Sequence, residues 1–468
     1  MSFLLGREGL IIAGVIVYMV LTSLLAWVLR SKTSAQFMVA GRALPAGVIG
    51  VFLMSEFIGA NSSVGGSQAA FEKGMAAGWA VVAAAIGFLL LAIGFARTIR
   101  ESSQVTISGL IEQRFGSTAR AVVSVMMIFA LLLVNAGNYL SGAAALSPAL
   151  HLSLTGCAVV IAAASSIYYV FGGLKSTAYV TVLHSLVKVV GIGVIVAVAI
   201  ALSGGIEPMQ RALPVYYFTW DGAVGGSTII AWIVGTTGAI FSSQFIVQAI
   251  AAAQTPKSAQ RAAFLASALC LPLGVAIGFI GVAARYLYPT QKSLFALPVF
   301  IAHMDTPLAT LVTVSLVASV LVSVSTVALG ITALIMRDFY VPWRKPTPEQ
   351  ELSVTRLVGV AVGAAPLVVV LLAPHIQTLS FFTRALRLSI TIVALMGVYL
   401  PWVRSGRAAV VALVGSGLAT TAWYLFGNPF GVDNMYVAAA LPALVLLGER
   451  LLPRRKPAPN STTRETHA

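Results

Sequence analysis

The chain has few charged residues for its length. Only 9% of its 468 residues are charged, whereas 59% are hydrophobic, and the mean hydropathy is +0.95. A water-soluble core of this length does not tolerate such a composition. The shortage of charge therefore excludes an ordinary soluble protein and predicts a polytopic membrane protein.

Cysteine is almost absent as well. Cys157 and Cys270 both lie in apolar segments, without a Cys-X-X-Cys spacing or a histidine partner, so they predict neither a disulfide nor a metal site.

The polar stretches contain no phosphate-binding glycine loop, metal-ligand cluster or nucleophile with an adjacent base. We therefore expect no catalytic activity.

Acidic residues are scarce, since 14 Asp and Glu oppose 29 Lys and Arg and leave a net charge of +15. No soluble domain is available to carry this charge as a basic groove, so we expect no nucleic-acid partner. The expected partners are the lipid bilayer and a small-molecule solute. The charge instead follows from membrane topology, as the predicted spans show.

Apolar runs long enough to cross about 30 Å of hydrocarbon occur along the whole chain. They predict thirteen spans in a single transmembrane domain, 1–453, followed by a disordered cytoplasmic tail, 454–468. The spans are 9–29, 44–71, 76–96, 119–149, 152–172, 179–204, 226–253, 262–288, 307–336, 354–373, 377–403, 408–427 and 434–452.

The basic residues are distributed unequally between the two sides of this predicted membrane domain. If the N-terminus is outside, 21 of the 29 Lys and Arg residues face the cytoplasm and five face outward. Cytoplasmic loops of membrane proteins carry such an excess. We therefore expect an integral protein, in a bacterial cytoplasmic (inner) membrane, with its N-terminus outside and its C-terminus in the cytoplasm.

Two predicted spans contain glycine and hydroxyl residues in their middle. The second is interrupted at 58–66 (Ile-Gly-Ala-Asn-Ser-Ser-Val-Gly-Gly) and the seventh at 234–238 (Val-Gly-Thr-Thr-Gly). Unpaired backbone at membrane depth survives only where it lines a buried polar cavity. Because the interruptions lie five spans apart, they predict two inverted five-helix halves, 44–204 and 226–403, with solute and ions bound where the breaks meet.

Several short motifs lie in the predicted loops and at span ends. The most specific is Phe171-Gly172-Gly173-Leu174-Lys175; the others are Gly41-Arg42, residues 106–116, Gln244 and Gln248 with the following loop, and Arg337-Asp338-Phe339-Tyr340. Together they resemble the sodium/solute symporter family, which includes bacterial proline and sodium/galactose symporters. The resemblance covers nearly the whole chain and implies an all-α, LeuT-type 5+5 inverted repeat with discontinuous helices. The accessory helices would be 9–29 and the two within 408–452.

The resemblance also implies a sodium ion between the second and ninth spans. The broken helix would supply the carbonyl oxygens of Ser55 and Ile58, and the ninth span the carbonyl of Ser319 and the hydroxyl of Ser323. The position of a further hydroxyl is Val322 in this chain, although Ser319 offers its own hydroxyl on the same helix face.

Glu56 is the acid that the predicted spans place deep inside a helix. Ionisable groups at that depth are functional candidates, and burial favours the neutral form of a carboxyl group. Glu56 can therefore carry a proton, which makes proton coupling an alternative to sodium. Its structural alternative is neutralisation by a basic residue of the spans, Lys188, Arg384 or Arg387.

Polar residues near the predicted breaks are the candidate solute ligands. Arg387 shares a helix face with Arg384, and such a pair can bind an anionic group bidentately or extend toward the membrane surface. Asn135 and Asn138 share a face of the fourth predicted span, where they serve equally well in interhelical hydrogen bonds. The candidates are Gly59, Asn61, Ser62, Ser63, Asn135, Asn138, Thr236, Thr237 and Arg387.

These features predict a sodium-coupled secondary transporter that imports a small polar or carboxylated solute by alternating access. One alternative is a proton-coupled symporter of the same fold that uses Glu56. Another is a transporter-like membrane sensor. Uptake that depends on pH and needs no sodium would favour the proton.

Overall fold

The computed structural model describes residues 6–150, 152–372 and 376–448, and the regular elements in these ranges are helices. The predicted tail, 454–468, lies outside them. The α-helices are α1 (Arg7–Val28), α2 (Ser34–Val39), α3 (Ala46–Phe57), α4 (Ala60–Lys73), α5 (Trp79–Gly94), α6 (Ala96–Glu101), α7 (Ile107–Phe115), α8 (Ser117–Leu150), α9 (Leu154–Ser203), α10 (Ile206–Ala212), α11 (Gly226–Ser242), α12 (Gln244–Ala251), α13 (Pro256–Leu287), α14 (Thr306–Leu334), α15 (Val341–Arg344), α16 (Pro348–Leu372), α17 (Ile376–Tyr399), α18 (Gly406–Leu425) and α19 (Asn434–Gly448).

Short helical turns of other types connect these helices. A π-helical segment, Ile335–Tyr340, continues α14 into α15. The remaining turns are 3-10 helices at Ala40–Arg42, Met75–Gly78, Val215–Tyr217, Ser293–Phe295, Pro298–His303 and Pro429–Gly431.

Several helices begin at a residue whose side chain caps the first turn. The side chains of Thr106, Ser153 and Asp305 each accept a hydrogen bond from the backbone N–H three residues later. A cap of this kind pairs one of the N–H groups that a helix start leaves without an intrahelical partner. The caps therefore fix where α7, α9 and α14 start.

Long apolar helices account for most of the predicted spans. In the described residues eight helices are long and apolar enough to cross a membrane, or up to ten if each of two bent pairs counts as one span. Each predicted span overlaps a described helix, but 152–172 and 179–204 lie on one helix, α9, which bends at Gly173. The number of thirteen spans stays a prediction.

Gly173 explains why the most specific sequence motif contains glycine. Its φ of 60° and ψ of −165° are rarely adopted by residues with a side chain, and a Cβ atom there would lie 2.7 Å from Phe37 Cα. The glycine thus permits both the bend in α9 and the close packing of α2 against it.

The centre of the molecule is α14. The 18-residue apolar window found in the helical stretch 306–344 is completely buried, and α14 packs against α1, α8, α9 and α16. The broken pair α3 and α4 packs against α13, while α11 packs against α5 and α17. This arrangement places the middle of α3–α4 beside α14 and α9.

Three of the sequence motifs, residues 106–116, Gln244 and residues 337–340, meet at one joint. Asp338 is buried and accepts hydrogen bonds from the hydroxyls of Thr106, Ser108 and Ser124. Gln244 Nε2 donates to Val105 O at 2.9 Å, and Gln244 Oε1 accepts from the N–H of Ile107, the first residue of α7, at 3.1 Å. The joint therefore links the end of α14 to α7, α8 and α12.

Candidate solute and ion site

The first predicted break is confirmed. Helix α3 ends at Phe57 and α4 begins at Ala60, with a bend of 46° between them. Ser62 Oγ donates to the freed carbonyl oxygen of Phe57 at 2.6 Å. A Cβ atom on Gly59 would lie 1.8 Å from Ser323 Oγ, so the glycine lets the break touch α14.

The predicted position of the second break is wrong. Residues 234–238 lie inside α11, which continues to Ser242 before a bend of 51° leads into α12 at Gln244. The break is at Ser243, whose ψ of 124° is not helical. The sequence signal for this break is the pair of serines directly before Gln244, Ser242 and Ser243, rather than the glycines.

The glycines of 234–238 serve helix packing instead. A Cβ on Gly235 would lie 2.5 Å from Met435 Sδ, and a Cβ on Gly238 would lie 2.4 Å from Leu388 Cδ1. A helix tolerates glycine where another helix must approach closely. These two residues therefore let α19 and α17 pack on α11 without interrupting it.

The two threonines between these glycines consequently lie apart from a break. Thr236 Oγ1 accepts a hydrogen bond from Arg384 at 3.1 Å. Thr237 lines a largely apolar crevice together with Leu90 and Leu395. Thr236 thus contacts the site through Arg384, whereas Thr237 does not line it.

Lys188 of α9 binds the first break. Its Nζ donates to Ser55 O at 2.7 Å, to Ser55 Oγ at 2.8 Å and to Ile58 O at 2.9 Å. The side chain is only 1% exposed. The two carbonyl oxygens that the resemblance gives to sodium do converge, but they converge on an ammonium group.

The α14 side of the same cage offers hydroxyls that are already donating within their own helix. Ser323 Oγ donates to Ser319 O, and Ser319 Oγ donates to Ser315 O, each at 2.9 Å. Val322 is buried and contributes no oxygen from its side chain. The oxygens present do not fit a sodium ion while Lys188 holds this position.

Glu56 is 6% exposed and is held by α14. Its carboxylate accepts a hydrogen bond from Thr326 Oγ1. Lys188 and Arg387 both lie near enough to act on its charge, although the hydrogen bonds of Lys188 go to Ser55 and Ile58. The predicted neutralisation of Glu56 by a basic residue therefore stays a prediction, and the structure shows no hydrogen bond from Lys188 to this carboxyl group.

A polar cavity of about 60 Å³ lies beside the first break. A second cavity, of about 170 Å³, shares Asn61, Ser62 and Arg384 with it. We call the two together the central cavity. The side chains and glycine that line its inner part are Glu56, Phe57, Gly59, Asn61, Ser62, Val134, Asn138, Phe245, Arg384 and Arg387.

Arg387 connects the central cavity to the second break. Its Nη1 donates to Ser243 Oγ at 2.9 Å and its Nε to Thr383 O at 3.2 Å, and it is 5% exposed. Ser242 Oγ donates to the carbonyl oxygen of Arg387 at 2.8 Å. The arginine thus extends from α17 to the bend between α11 and α12.

The predicted solute ligands therefore divide into two groups. Gly59, Asn61, Ser62, Asn138 and Arg387 line the central cavity. Asn135 instead donates to Val324 O at 3.4 Å and so joins α8 to α14. Ser63 is buried in α4 and is not among the lining residues.

Residues outside the predicted set also line the cavity. Phe57 and Phe245 lie at the two broken helices, Arg384 lines both parts of the cavity, and Trp232 lines the outer part. Phe245 lies within the motif Gln244–Gln248, so the sequence did mark this segment. The phenylalanine itself could not be identified as a lining residue, because aromatic residues are common in apolar spans.

Comparison with known proteins agrees with this architecture. The sequence model of the sodium:solute symporter family matches residues 37–415. The sodium/glucose cotransporter of Vibrio parahaemolyticus is 24% identical over 293 residues, and the uncharacterized symporter YidK of Escherichia coli K12 is 26% identical over 302 residues. Each match covers 58% of this chain, and 54% and 52% of the two relatives. The chain therefore spans about half the length of these relatives.

Solved structures share the fold. A Na⁺-coupled sialic acid symporter, in a substrate-bound outward-open state, superposes with a TM-score of 0.82 at 19% identity, over 95% of this chain and 98% of that chain. The nucleobase-cation-symport-1 family transporter Mhp1 gives 0.62 at 14% identity, over 90% and 96%. Because the family model covers most of the sequence and the helices are long and apolar, the chain is an integral membrane protein that belongs to the sodium:solute symporter family, a family of transporters rather than enzymes.

Proposed function

We propose that this protein is a symporter that imports a small carboxylated solute by ion-coupled alternating access. The observation that carries the proposal is the pair of arginines at a cavity beside the first helix break, Arg387, which is buried, and Arg384, which is partly buried. Glu56 is the acid that lines the same inner cavity, so the basic groups there outnumber it. An anionic solute would balance this excess charge.

The other lining groups suit a carboxylate as well. Asn61, Ser62 and Asn138 can donate hydrogen bonds, and α4 starts at the break with its N-terminal end toward the cavity. The N-terminus of a broken helix favours negative charge in transporters of this architecture. The cavity volumes of about 60 and 170 Å³ suit a small solute.

Sodium is the first candidate for the coupling ion. Its support is the family to which the chain belongs, together with relatives named sodium/glucose cotransporter and sodium/pantothenate symporter. The second candidate is the proton, with Glu56 as its carrier, and the observation that favours it over sodium is the ammonium group of Lys188 on Ser55 O and Ile58 O. Uptake in sodium against choline, at several fixed external pH values, separates the two.

We further propose that the membrane arrangement is that of thirteen spans, with two inverted five-helix halves and the N-terminus outside. The two bent pairs, α3–α4 and α11–α12, support this arrangement. The excess of Lys and Arg in the loops predicted to be cytoplasmic supports the orientation. A bacterial cytoplasmic membrane is the location we propose.

Binding and uptake of a panel of small carboxylates test the proposal. Purified protein is screened by thermal unfolding, since a ligand that binds the folded state raises its stability by RT ln(1 + [L]/Kd). A carboxylate that stabilises the protein is then followed as a radiolabelled substrate in counterflow across proteoliposomes. We expect one or more carboxylates to pass both assays, with saturable uptake.

Arginine variants then locate the binding site. Arg384→Gln and Arg387→Gln remove a charge-assisted hydrogen bond to the solute, so affinity should fall by roughly tenfold or more. Arg407→Gln, at an exposed arginine, is the matched control and should bind normally. Stabilisation by amines or neutral sugars but not by carboxylates, or equal affinity in all three variants, would rule out the proposed substrate class.

A further inference from the structure

Lys188 binds the first break in a way that uses its full hydrogen-bonding capacity. An ammonium group has three N–H donors and no acceptor. Its three partners are Ser55 O, Ser55 Oγ and Ile58 O, at 2.7 to 2.9 Å. Each N–H donor of the buried ammonium group thus has an acceptor, so the oxygens at the break form a full set of hydrogen-bond partners for Lys188.

The occupied position is the one that the family resemblance gives to sodium. The carbonyl oxygens of Ser55 and Ile58 are two of its expected ligands, and both accept from Lys188. A third expected ligand position is Val322, which has no side-chain oxygen, and the hydroxyl of Ser323 donates within α14. This chain therefore combines a missing oxygen ligand with an additional ammonium group, and both make the cage less suitable for sodium.

A sodium ion placed among the same oxygens would lie beside the ammonium group. The two positive charges would repel each other in an environment where water cannot screen them. Sodium is bound by several oxygen atoms at once, and each of the two carbonyl oxygens here already accepts a hydrogen bond from Lys188. Both effects oppose an ion in this cage.

We infer that the ammonium group of Lys188 is the resident cation of the cage at Ser55 and Ile58, and that this cage does not bind sodium. The lysine joins α9 to the α3–α4 break, as a bound ion would join the broken helix to its neighbours. Unlike an ion, it is tethered and cannot leave with the solute. Any sodium that drives transport therefore binds elsewhere. The inference concerns the cage alone, and it holds whichever solute is transported.

Binding of ²²Na⁺ to purified protein in nanodiscs tests the inference, with choline chloride holding the ionic strength constant. Wild type and Ser323→Ala should bind the same amount of sodium, because Ser323 contacts no ion in wild type. The double variant Lys188→Ala/Val322→Ser empties the cage, restores the hydroxyl and leaves Glu56 nearby. It should gain a sodium site, and adding Ser323→Ala should weaken that site by roughly tenfold.

The matched control keeps the new hydroxyl and the lysine in the cage. Lys257 is exposed on the surface, so Lys257→Ala/Val322→Ser should gain no sodium binding. A wild-type sodium site that Ser323→Ala weakens would overturn the inference, and so would a folded Lys188→Ala/Val322→Ser protein that gains no site. The comparison of wild type with Ser323→Ala needs no change at Lys188 and decides the question even if the lysine variants do not fold.

The result is separable from the proposed function. Carboxylate binding is measured by thermal unfolding in sodium-free choline buffer, and its absence would remove the proposed substrate class without affecting the sodium measurement. Conversely, a sodium site that depends on Ser323 in wild type would overturn the role of Lys188 and leave carboxylate binding as proposed.

Discussion

At the scale of single residues, Gly59 determines how closely the first break approaches α14. A Cβ atom there would lie 1.8 Å from Ser323 Oγ and 2.9 Å from Ser323 Cβ. Overpacking of a filled interior typically costs about 1–3 kcal/mol. We expect Gly59→Ala to lower the midpoint of thermal unfolding and to weaken solute binding in the protein that remains folded.

Gly47→Ala is the control for this change. Gly47 lies in α3, in the same broken pair, and a Cβ there meets no atom within 4 Å. Its substitution should leave stability unchanged or slightly raised. Adding Ser323→Ala to Gly59→Ala removes the shortest contact and should recover part of the loss. Equal stability of Gly59→Ala and Gly47→Ala would show that the break does not contact α14.

The residue scale is also where prediction from the sequence was least complete. The sequence identified Ser55, Ile58 and Lys188 as notable but did not bring them together. Their hydrogen bonds cross 133 and 130 residues of chain, and helix periodicity determines which residues share a face only within one helix. The one local signal was Val322, where the family pattern expects an oxygen.

At the scale of elements, the bend of α9 depends on Gly173. Its positive φ is costly for other residues, and a Cβ there would lie 2.7 Å from Phe37 Cα in α2. Gly173→Ala should therefore destabilise the protein by about 1–3 kcal/mol. The measurement is thermal unfolding of wild type and Gly173→Ala in the same detergent.

Gly193 provides the comparison within the same helix. It lies in the helical part of α9, and a Cβ there meets nothing within 4 Å. Alanine is the better helix former by about 0.5–1 kcal/mol, so Gly193→Ala should stabilise the protein. If the two variants shifted stability in the same direction, the bend would not require glycine.

The broken helices show what a sequence pattern can and cannot distinguish. Both predicted interruptions contained glycine and hydroxyl residues, yet only 58–66 contains a break. Glycine either frees the backbone or admits a neighbouring helix, and these two roles look alike in sequence. At 234–238 the neighbours, Met435 and Leu388, come from distant helices, so the sequence could not decide between the roles.

At the scale of the whole molecule, Asp338 holds together elements that are distant in sequence. It accepts hydrogen bonds from Thr106, Ser108 and Ser124, so it joins the end of α14 to α7 and α8. In Asp338→Asn one acceptor oxygen becomes an NH₂ donor and faces hydroxyl groups that were donating. We expect a loss of about 1–3 kcal/mol in unfolding free energy.

Denaturant or thermal unfolding of Asp338→Asn checks this expectation. Glu349→Gln, at an exposed acid, changes the charge equally and should unfold like wild type. Asp338→Glu retains the charge but adds a methylene group inside a buried joint, so it should recover only part of the loss. Wild-type stability of Asp338→Asn would mean that the joint does not depend on the carboxylate.

The orientation in the membrane is a property of the whole chain, and its prediction comes from how the basic residues are distributed between the predicted loops. Of the 29 Lys and Arg residues, 21 lie on the side assigned to the cytoplasm and five on the other side. The native cysteines, Cys157 and Cys270, are both buried. Single exposed cysteines can therefore report the side of the membrane with little background from the native thiols.

Ala212 and Thr347 are exposed and lie on opposite sides of the predicted topology. In intact cells a membrane-impermeant maleimide should label Ala212→Cys, whereas Thr347→Cys should react only after the membrane is permeabilised. The positive-inside rule requires this order because basic loops are retained in the cytoplasm. The reverse order would place the N-terminus inside. Labelling of both in intact cells would mean that an even number of spans separates them, which contradicts the predicted seventh, eighth and ninth spans between these positions.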